Sequence, residues 1–379
     1  MLRLACVIMA IFAALKLGDE FRRLLFDSGP IGAIDLKLFH QMVRDWFSGR
    51  PLYQLRDHAT YPPASYLLLW PFHGWLAVTP ARWLWAVTSV GALGWLVHLI
   101  IQESGAETRL ERVFVALMLL SMNATGVTIG NGQLIVHLLP VLLFGLLLLR
   151  QDGREWHKVL LAASLFLVAL VKPSISLPFL WMALFMGAGL RTVSLVGFGY
   201  VGLTVFAASF QRMALTVLLR GWLERGTAEA VAAGYANLHR WLASLGLEQW
   251  VLPGSLLVLV ALGLWTYRHR RGDFWLLLGV TALVARLWAY HRVYDDVLIL
   301  LPMVALFRIA KRGPASDGAD VVAGLLLATT VLAMLLPARF EWFPAPWSWL
   351  FKGGHTVVWI AVLAFLLYQA RRETDAEGG

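Results

Sequence analysis

Apolar runs return along the whole length of this chain, among them residues 113–129, 134–149, 159–171, 256–267, 321–336 and 356–368. A helix that crosses a bilayer needs only ~20 mostly apolar residues. Hydrocarbon offers no partner to a free backbone N–H or C=O, so each run must satisfy its polar groups internally as a helix. Strand-like alternation and barrel-type turns are missing from the sequence. The chain has 379 residues, 59% hydrophobic and 15% charged, with a mean hydropathy of +0.69. That leaves too little charge to cover a water-soluble surface. The expected fold is all-α, a single integral membrane domain spanning residues 1–379.

The formal net charge of +9 raises nucleic acid as a partner, but its distribution argues otherwise. Lys and Arg sit in short clusters between apolar runs, which is how a membrane protein sets its orientation. A nucleic-acid binder gathers them on one soluble face. Arg150/Arg154/Lys158, Arg268/Arg270/Arg271, Arg308/Lys311/Arg312 and Arg371/Arg372 are the expected cytoplasmic anchors. Trp342, Trp347 and Trp349 fit an interfacial belt. Cys6, the one cysteine, excludes an internal disulfide and a thiol metal cluster. No small-x-small cleavage site precedes the charged stretch 16–20, so the first apolar run reads as a retained helix rather than a signal peptide.

With Arg3 inside, residues 18–63 and 211–250 become long extracytoplasmic loops, with the turns at 130–133, 172–174, 290–295 and 337–353 on the same side. Counting gives thirteen apolar segments. Treating 64–79, interrupted by Pro71 and His73, as non-crossing leaves about twelve. Residues 31–48 place Ile34, Leu38, Met42, Trp46 and Phe47 on one helical face and Asp35, Lys37, Arg44 and Asp45 on the other. This predicts an amphipathic helix on the membrane surface, ended by Gly49-Arg50-Pro51. A similar element is expected at 213–224, and the acidic tail 373–379 is expected to fray.

The chemistry-bearing residues come in a fixed order. Asp35 is followed by Ser48-Gly49-Arg50-Pro51-Leu52-Tyr53 and by Tyr61-Pro62-Pro63. Then come Gly130-Asn131-Gly132-Gln133, Lys172-Pro173-Ser174 and Trp288-Ala289-Tyr290-His291-Arg292-Val293-Tyr294-Asp295. Order and shared side together resemble glycosyltransferase family 87 of the GT-C superfamily, over roughly residues 30–305 and best at 35–63. The chain departs from that pattern in having Arg292 after His291 where paired His residues are common. It also has Asn131 before, rather than after, Gln133.

The resemblance implies an inverting transfer of a sugar, mannose as first guess, from a polyprenyl-phosphate carrier to a hydroxyl of a glycolipid or glycan. It implies a multi-pass protein of the inner (cytoplasmic) membrane with its active site facing the periplasm or cell exterior, part of cell-envelope glycan assembly. Asp35 would be the general base. Lys172, His291 and Arg292 would hold the departing phosphate, and Tyr61, Asn131, Gln133, Tyr290 and Trp288 would line the substrate cavity. Membrane lipids are expected partners and nucleic acid is not. No cofactor is expected and no metal, since the His residues lack ligand spacing and Tyr294-Asp295-Asp296 is not a D-x-D.

Simpler roles stand beside these. Asp35 would also favour a helix start, and Lys172 could snorkel. Asp45 and Asp57 are rival loop acids, read as solvated. Arg286 would bridge to Asp295 or Asp296. His73, His98 and His137 read as packed or hydrogen-bonded helix residues. The alternative functions are another GT-C branch (arabinosyl, aminoarabinosyl or protein mannosyl transfer) or a lipid-carrier flippase or transporter. A transporter would show inverted repeats and broken helices, and the protein mannosyl branch a large soluble C-terminal domain. Neither is evident in the sequence.

Overall fold

The structure, a computed structural model, describes residues 2–151, 155–232, 236–313 and 318–377. Among the described residues every regular element is helical. The first part of the chain forms α1 (Leu2–Phe26), α2 (Ile34–Phe47), α3 (Leu52–Leu55), α4 (Pro63–His73), α5 (Val78–Glu103), α6 (Arg109–Leu120), α7 (Asn123–Asn131), α8 (Ile135–Arg150) and α9 (Trp156–Ala169). The second part forms α10 (Pro173–Ser176), α11 (Leu180–Leu184), α12 (Gly189–Ala208), α13 (Leu215–Ala232), α14 (Leu238–Ser244) and α15 (Val251–Arg268). It ends with α16 (Phe274–Leu287), a 3-10 segment Val293–Ile299, α17 (Leu300–Lys311), α18 (Ala319–Leu335) and α19 (Trp347–Glu377).

Local sequence explains several boundaries. Thr108 and Glu111 form a capping box that opens α6. Asp273 accepts hydrogen bonds from the Trp275 and Leu276 amides and opens α16. Pro63 occupies the first turn of α4, where its missing N–H costs nothing.

Among the described residues, four helices are long and apolar enough to cross a membrane, or five if α6 and α7, bent by 49° at their junction, count as one span. Further apolar helices, such as α8, α9, α16 and α18, are shorter. Burial separates two kinds. In α16, 12 of 14 residues are buried by the rest of the protein. On α12 and α15, by contrast, Phe198 (79% exposed) and Leu257 (70%) face outward, as lipid-facing side chains would. Trp342, Trp347 and Trp349 are exposed as well. The eleven-residue α4 packs on α2 and α12 and is too short to span alone.

Polar contacts collect at the two ends of the bundle. One end joins Glu103, Arg150, Asp273, Arg308, Arg312 and Glu373 through ion pairs and hydrogen bonds. It holds members of two of the four basic clusters expected in the cytoplasm, and Glu373 of the tail is bound there rather than frayed. Arg154 and residues 378–379 lie outside the described residues. The other end holds α2, the 130–133 turn, Lys172 and residues 288–296.

Two expectations need correction. α2 does not present a simple apolar stripe to a membrane surface. Leu36, Phe39, His40, Val43 and Trp46 are buried in the protein, while Ile34 is 39% exposed. The helix is gripped on more than one side, by α4, α5, α7 and the Trp46 Nε1–Ala207 O hydrogen bond of 2.9 Å. Asp45 is not solvated either. It is 7% exposed and bound by Arg56 at 2.8 Å and Arg50 at 3.1 Å.

Of the helix histidines, His137 bonds Thr88 and His73 is buried beside Trp85. His98 is exposed and not packed as expected.

Candidate functional site

The site starts from an unusual entry into α2. Ala33 adopts a left-handed conformation (φ 50°), and its N–H donates to Gly130 O at 3.1 Å. The partner turn is equally constrained. Gly132 has φ 74°, and a Cβ there would fall 2.5 Å from Leu36 Cβ. Only glycine combines a left-handed backbone with that approach. The glycine pair in Gly130-Asn131-Gly132-Gln133 thus brings Asn131 and Gln133 against the first turn of α2, where Asp35 lies.

This turn is braced from α1. Arg23 Nη2 donates to Asn131 Oδ1 at 2.7 Å, Arg23 Nη1 to Ile31 O at 2.9 Å, and Arg23 Nε to Glu20 at 2.6 Å. Gly126 and Gly130, four apart on α7, leave room for Lys16 and Glu20 side chains.

Asp35 Oδ2 is buried and has no hydrogen-bond partner. Burial pushes the carboxyl above its ordinary value of 3.8, against the opposing pull of the Gln133 and Asn131 amides and, more weakly, of Lys172 and Arg292. An ionisable oxygen left open in this way is unusual, because buried polar atoms are nearly always paired.

Lys172 and His291 reach the same end from α9–α10 and the segment after α16. Asp295 binds both, with Lys172 Nζ at 2.6 Å and His291 Nδ1 at 2.9 Å. Lys172 also sits 5.0 Å above the Tyr294 ring. Burial alone would raise Asp295, but Lys172 and His291 hold its pKa well below the usual carboxylate value. His291 Nε2 lies 2.9 Å from Ala285 O. Both ring nitrogens therefore face acceptors, and burial lowers the imidazole below 6.5 against the opposing pull of Asp295.

Arg292 turns elsewhere. Its Nε donates to Tyr290 Oη and its Nη2 to Glu229 of α13 at 3.0 Å. Thr128 on α7 donates to Tyr294 O at 3.0 Å and ties the 130–133 turn's helix to this segment.

The remaining sequence candidates sort by contact. Tyr61 is 9% exposed, edge-on to Phe39, and its buried phenol senses Asp35 and Asp295. Tyr53 of the Gly49–Tyr53 motif donates to Tyr61 O at 2.7 Å and so fixes the loop that carries it. Trp288 is turned inward, its Nε1 donating to Ser174 O at 2.9 Å, which seats α10 on α16. Arg286 pairs with Asp296 at 2.5 Å and lies over Trp359. Asp57 is the solvated loop acid, 84% exposed and bound by Arg225.

Two participants escaped the sequence reading. Asp295 was legible, since it lies one helical turn beyond His291, but it was weighed only as a partner for Arg286. Glu229 belongs to no motif, and nothing in its Ala-rich surroundings marks it. Among the described residues no cluster of three His, Cys, Asp or Glu could hold a metal ion.

The arrangement joins an open buried carboxylate, two amides, three phenols and a set of cations at one end of a helical membrane bundle. No curated protein and no solved structure matches the chain. The model of glycosyltransferase family 87 matches residues 59–296, more than half of the sequence, which takes in Tyr61, the 130–133 turn, Lys172, Glu229 and residues 288–296 but not α1, α2 with Asp35, or Tyr53. The chain therefore belongs to glycosyltransferase family 87.

Proposed function

We propose that the protein is an inverting glycosyltransferase that uses a polyprenyl-phosphate sugar, mannose first, and a hydroxyl on a glycolipid or glycan. The observation that carries this is Asp35, whose buried Oδ2 is unpartnered beside two amides and within the field of Lys172 and Arg292. A base must be free to accept a proton, and its pKa is best raised towards working pH.

In this reading the acceptor oxygen attacks the anomeric carbon and its proton passes to Asp35 Oδ2. The bond from that carbon to the carrier's phosphate oxygen breaks, and its electron pair leaves with the phosphate. Arg292, with Lys172 and His291 behind it, offsets the charge that develops there. Asn131 and Gln133 orient Asp35 and the acceptor, and Tyr61 and Tyr290 border the sugar. In this reading the chain crosses the inner membrane about twelve times with the site outside, which would set it beside a lipid-linked donor. Lys172 and His291 would act through the electrostatics of their Asp295 cluster.

The test uses purified protein in liposomes, labelled polyprenyl-phosphate mannose and a panel of glycolipid acceptors, comparing wild type with Asp35→Asn. Transfer by wild type, lost in a folded variant that still binds donor, supports the reaction and the base. Equal transfer by both removes Asp35 from the mechanism. Donor moved across the bilayer with no glycoside formed would instead indicate a flippase.

A further inference from the structure

Glu229 of α13 is the busiest side chain that no motif explains. Its Oε1 accepts from Arg292 Nη2 at 3.0 Å and from Tyr290 Oη at 3.1 Å. Its Oε2 lies 3.4 Å from His58 Nδ1. Tyr290 accepts in turn from Arg292 Nε, so acid, phenol and guanidinium close a ring. Glu229 is only 14% exposed, whereas Arg292 is 35% exposed. The other cation of the site is sealed: Lys172 is 10% exposed and Asp295 1%. The Arg292–Glu229 pair is thus the one that an incoming anion can reach.

The helix that carries Glu229 is anchored beside the same loop. Arg225 Nε donates to Tyr53 O at 2.7 Å and Trp222 Nε1 to Thr60 O at 2.9 Å. Glu229 follows one turn after Arg225 on the same helix.

We propose that Glu229 is a positioning residue that occupies on Arg292 the place of the donor's phosphate and yields it when donor binds. This rests on the lipid-phosphate reading above. A guanidinium fork suits a carboxylate and a phosphate equally well. With Glu229 in place, Arg292 has its charge balanced and its Nε fixed by Tyr290. Phosphate then replaces one anion by another, and Glu229 turns to His58 or to water. The arrangement trades donor affinity for a preset Arg292 and a phosphate that can leave again.

The experiment measures binding of a short-chain polyprenyl phosphate, without sugar, to the full-length protein in detergent. Wild type, Glu229→Gln, Arg292→Gln and the double variant are compared. Gln keeps the size and hydrogen bonding of Glu229 but removes its charge. Binding by Glu229→Gln should tighten by on the order of twofold to fivefold, the range for a partly exposed charge pair. The gain should vanish in the Arg292→Gln background. Unchanged or weaker binding by Glu229→Gln would show that the acid only braces α13, and a gain that persists without Arg292 would show that it acts elsewhere. Wild type that binds no polyprenyl phosphate would bring down the donor reading, and this proposal with it.

Discussion

Charged residues cluster at both ends of the bundle, and the same residue types are used there in opposite ways. At the basic end, Arg312 is 50% exposed and shares Asp273 and Glu373, themselves 20% and 26% exposed. At the site end, Lys172, His291 and Asp295 are 10%, 0% and 1% exposed. Water-facing pairs contribute ~0–1 kcal/mol each and are well suited to anchoring helix ends. Taking an ion out of water costs several kcal/mol, so a buried cluster is retained where its charges act. Asp35 sharpens the contrast further: Asp295 is buried with two partners, whereas Asp35 Oδ2 is buried with none.

Substitutions at the two ends should therefore separate widely. Asp35→Asn should lower transfer by ~10²–10⁴-fold, the usual worth of a positioned base, measured as product formed per folded protein. The same change should leave the melting temperature unaltered or raise it. A carboxyl whose folded pKa is raised favours the fold below 3.8 and loses that contribution as pH climbs through the folded value, so ionised Asp35 is a cost that Asn removes. Lys172→Met should destabilise the fold by ~3–5 kcal/mol by stranding Asp295, read as a fall in thermal stability in detergent. If Lys172→Met with Asp295→Leu is no more stable than Lys172→Met alone, the stranded charge is not the cause.

Gly132→Ala should cost ~1–2 kcal/mol from the left-handed backbone, and more from the close approach of Leu36. It should reduce activity beyond its effect on stability, because the turn delivers Gln133 to Asp35. Arg312→Ala, at the basic end, should change stability by no more than ~1 kcal/mol and leave transfer intact. A large effect there would erase the distinction between the ends. The pH–rate profile gives the finest test. Transfer should fall with acid through a value above 3.8, and the limb should disappear from the residual activity of Asp35→Asn.

The all-helical class was legible because bilayer physics permits few alternatives to long apolar runs. The candidate-site end was legible in part, because Gly-Asn-Gly-Gln and Lys-Pro interrupt those runs with polar residues that hydrocarbon would not tolerate without reason. The orientation of α2 was not. Helical spacing put Ile34, Leu38, Met42, Trp46 and Phe47 on one apolar face for the membrane surface; Met42 and Trp46 do turn inward, but once the helix is enclosed by α4, α5 and α7, packing also buries Leu36, Phe39, His40 and Val43. Asp45 was misjudged for the same reason, since Arg50 and Arg56 arrive from the loop after the helix. Glu229 lies 63 residues from Arg292, and no spacing rule connects them.

One contact ties the order of synthesis to the assembly of the site. Arg23 finds Asn131 across 108 residues of chain, and Lys16 and Glu20 fit the steps left by Gly126 and Gly130. α1 therefore leaves the ribosome carrying Lys16, Glu20 and Arg23 well before the helix that covers them exists. Within α1 itself Glu20 already pairs with Lys16 at 2.7 Å and with Arg23 at 2.6 Å, so the three charges travel as one cluster. Docking of α7 puts Asn131 on Arg23 and Gly130 on Ala33, so the packing of the first helix and the shaping of the turn beside Asp35 become one event.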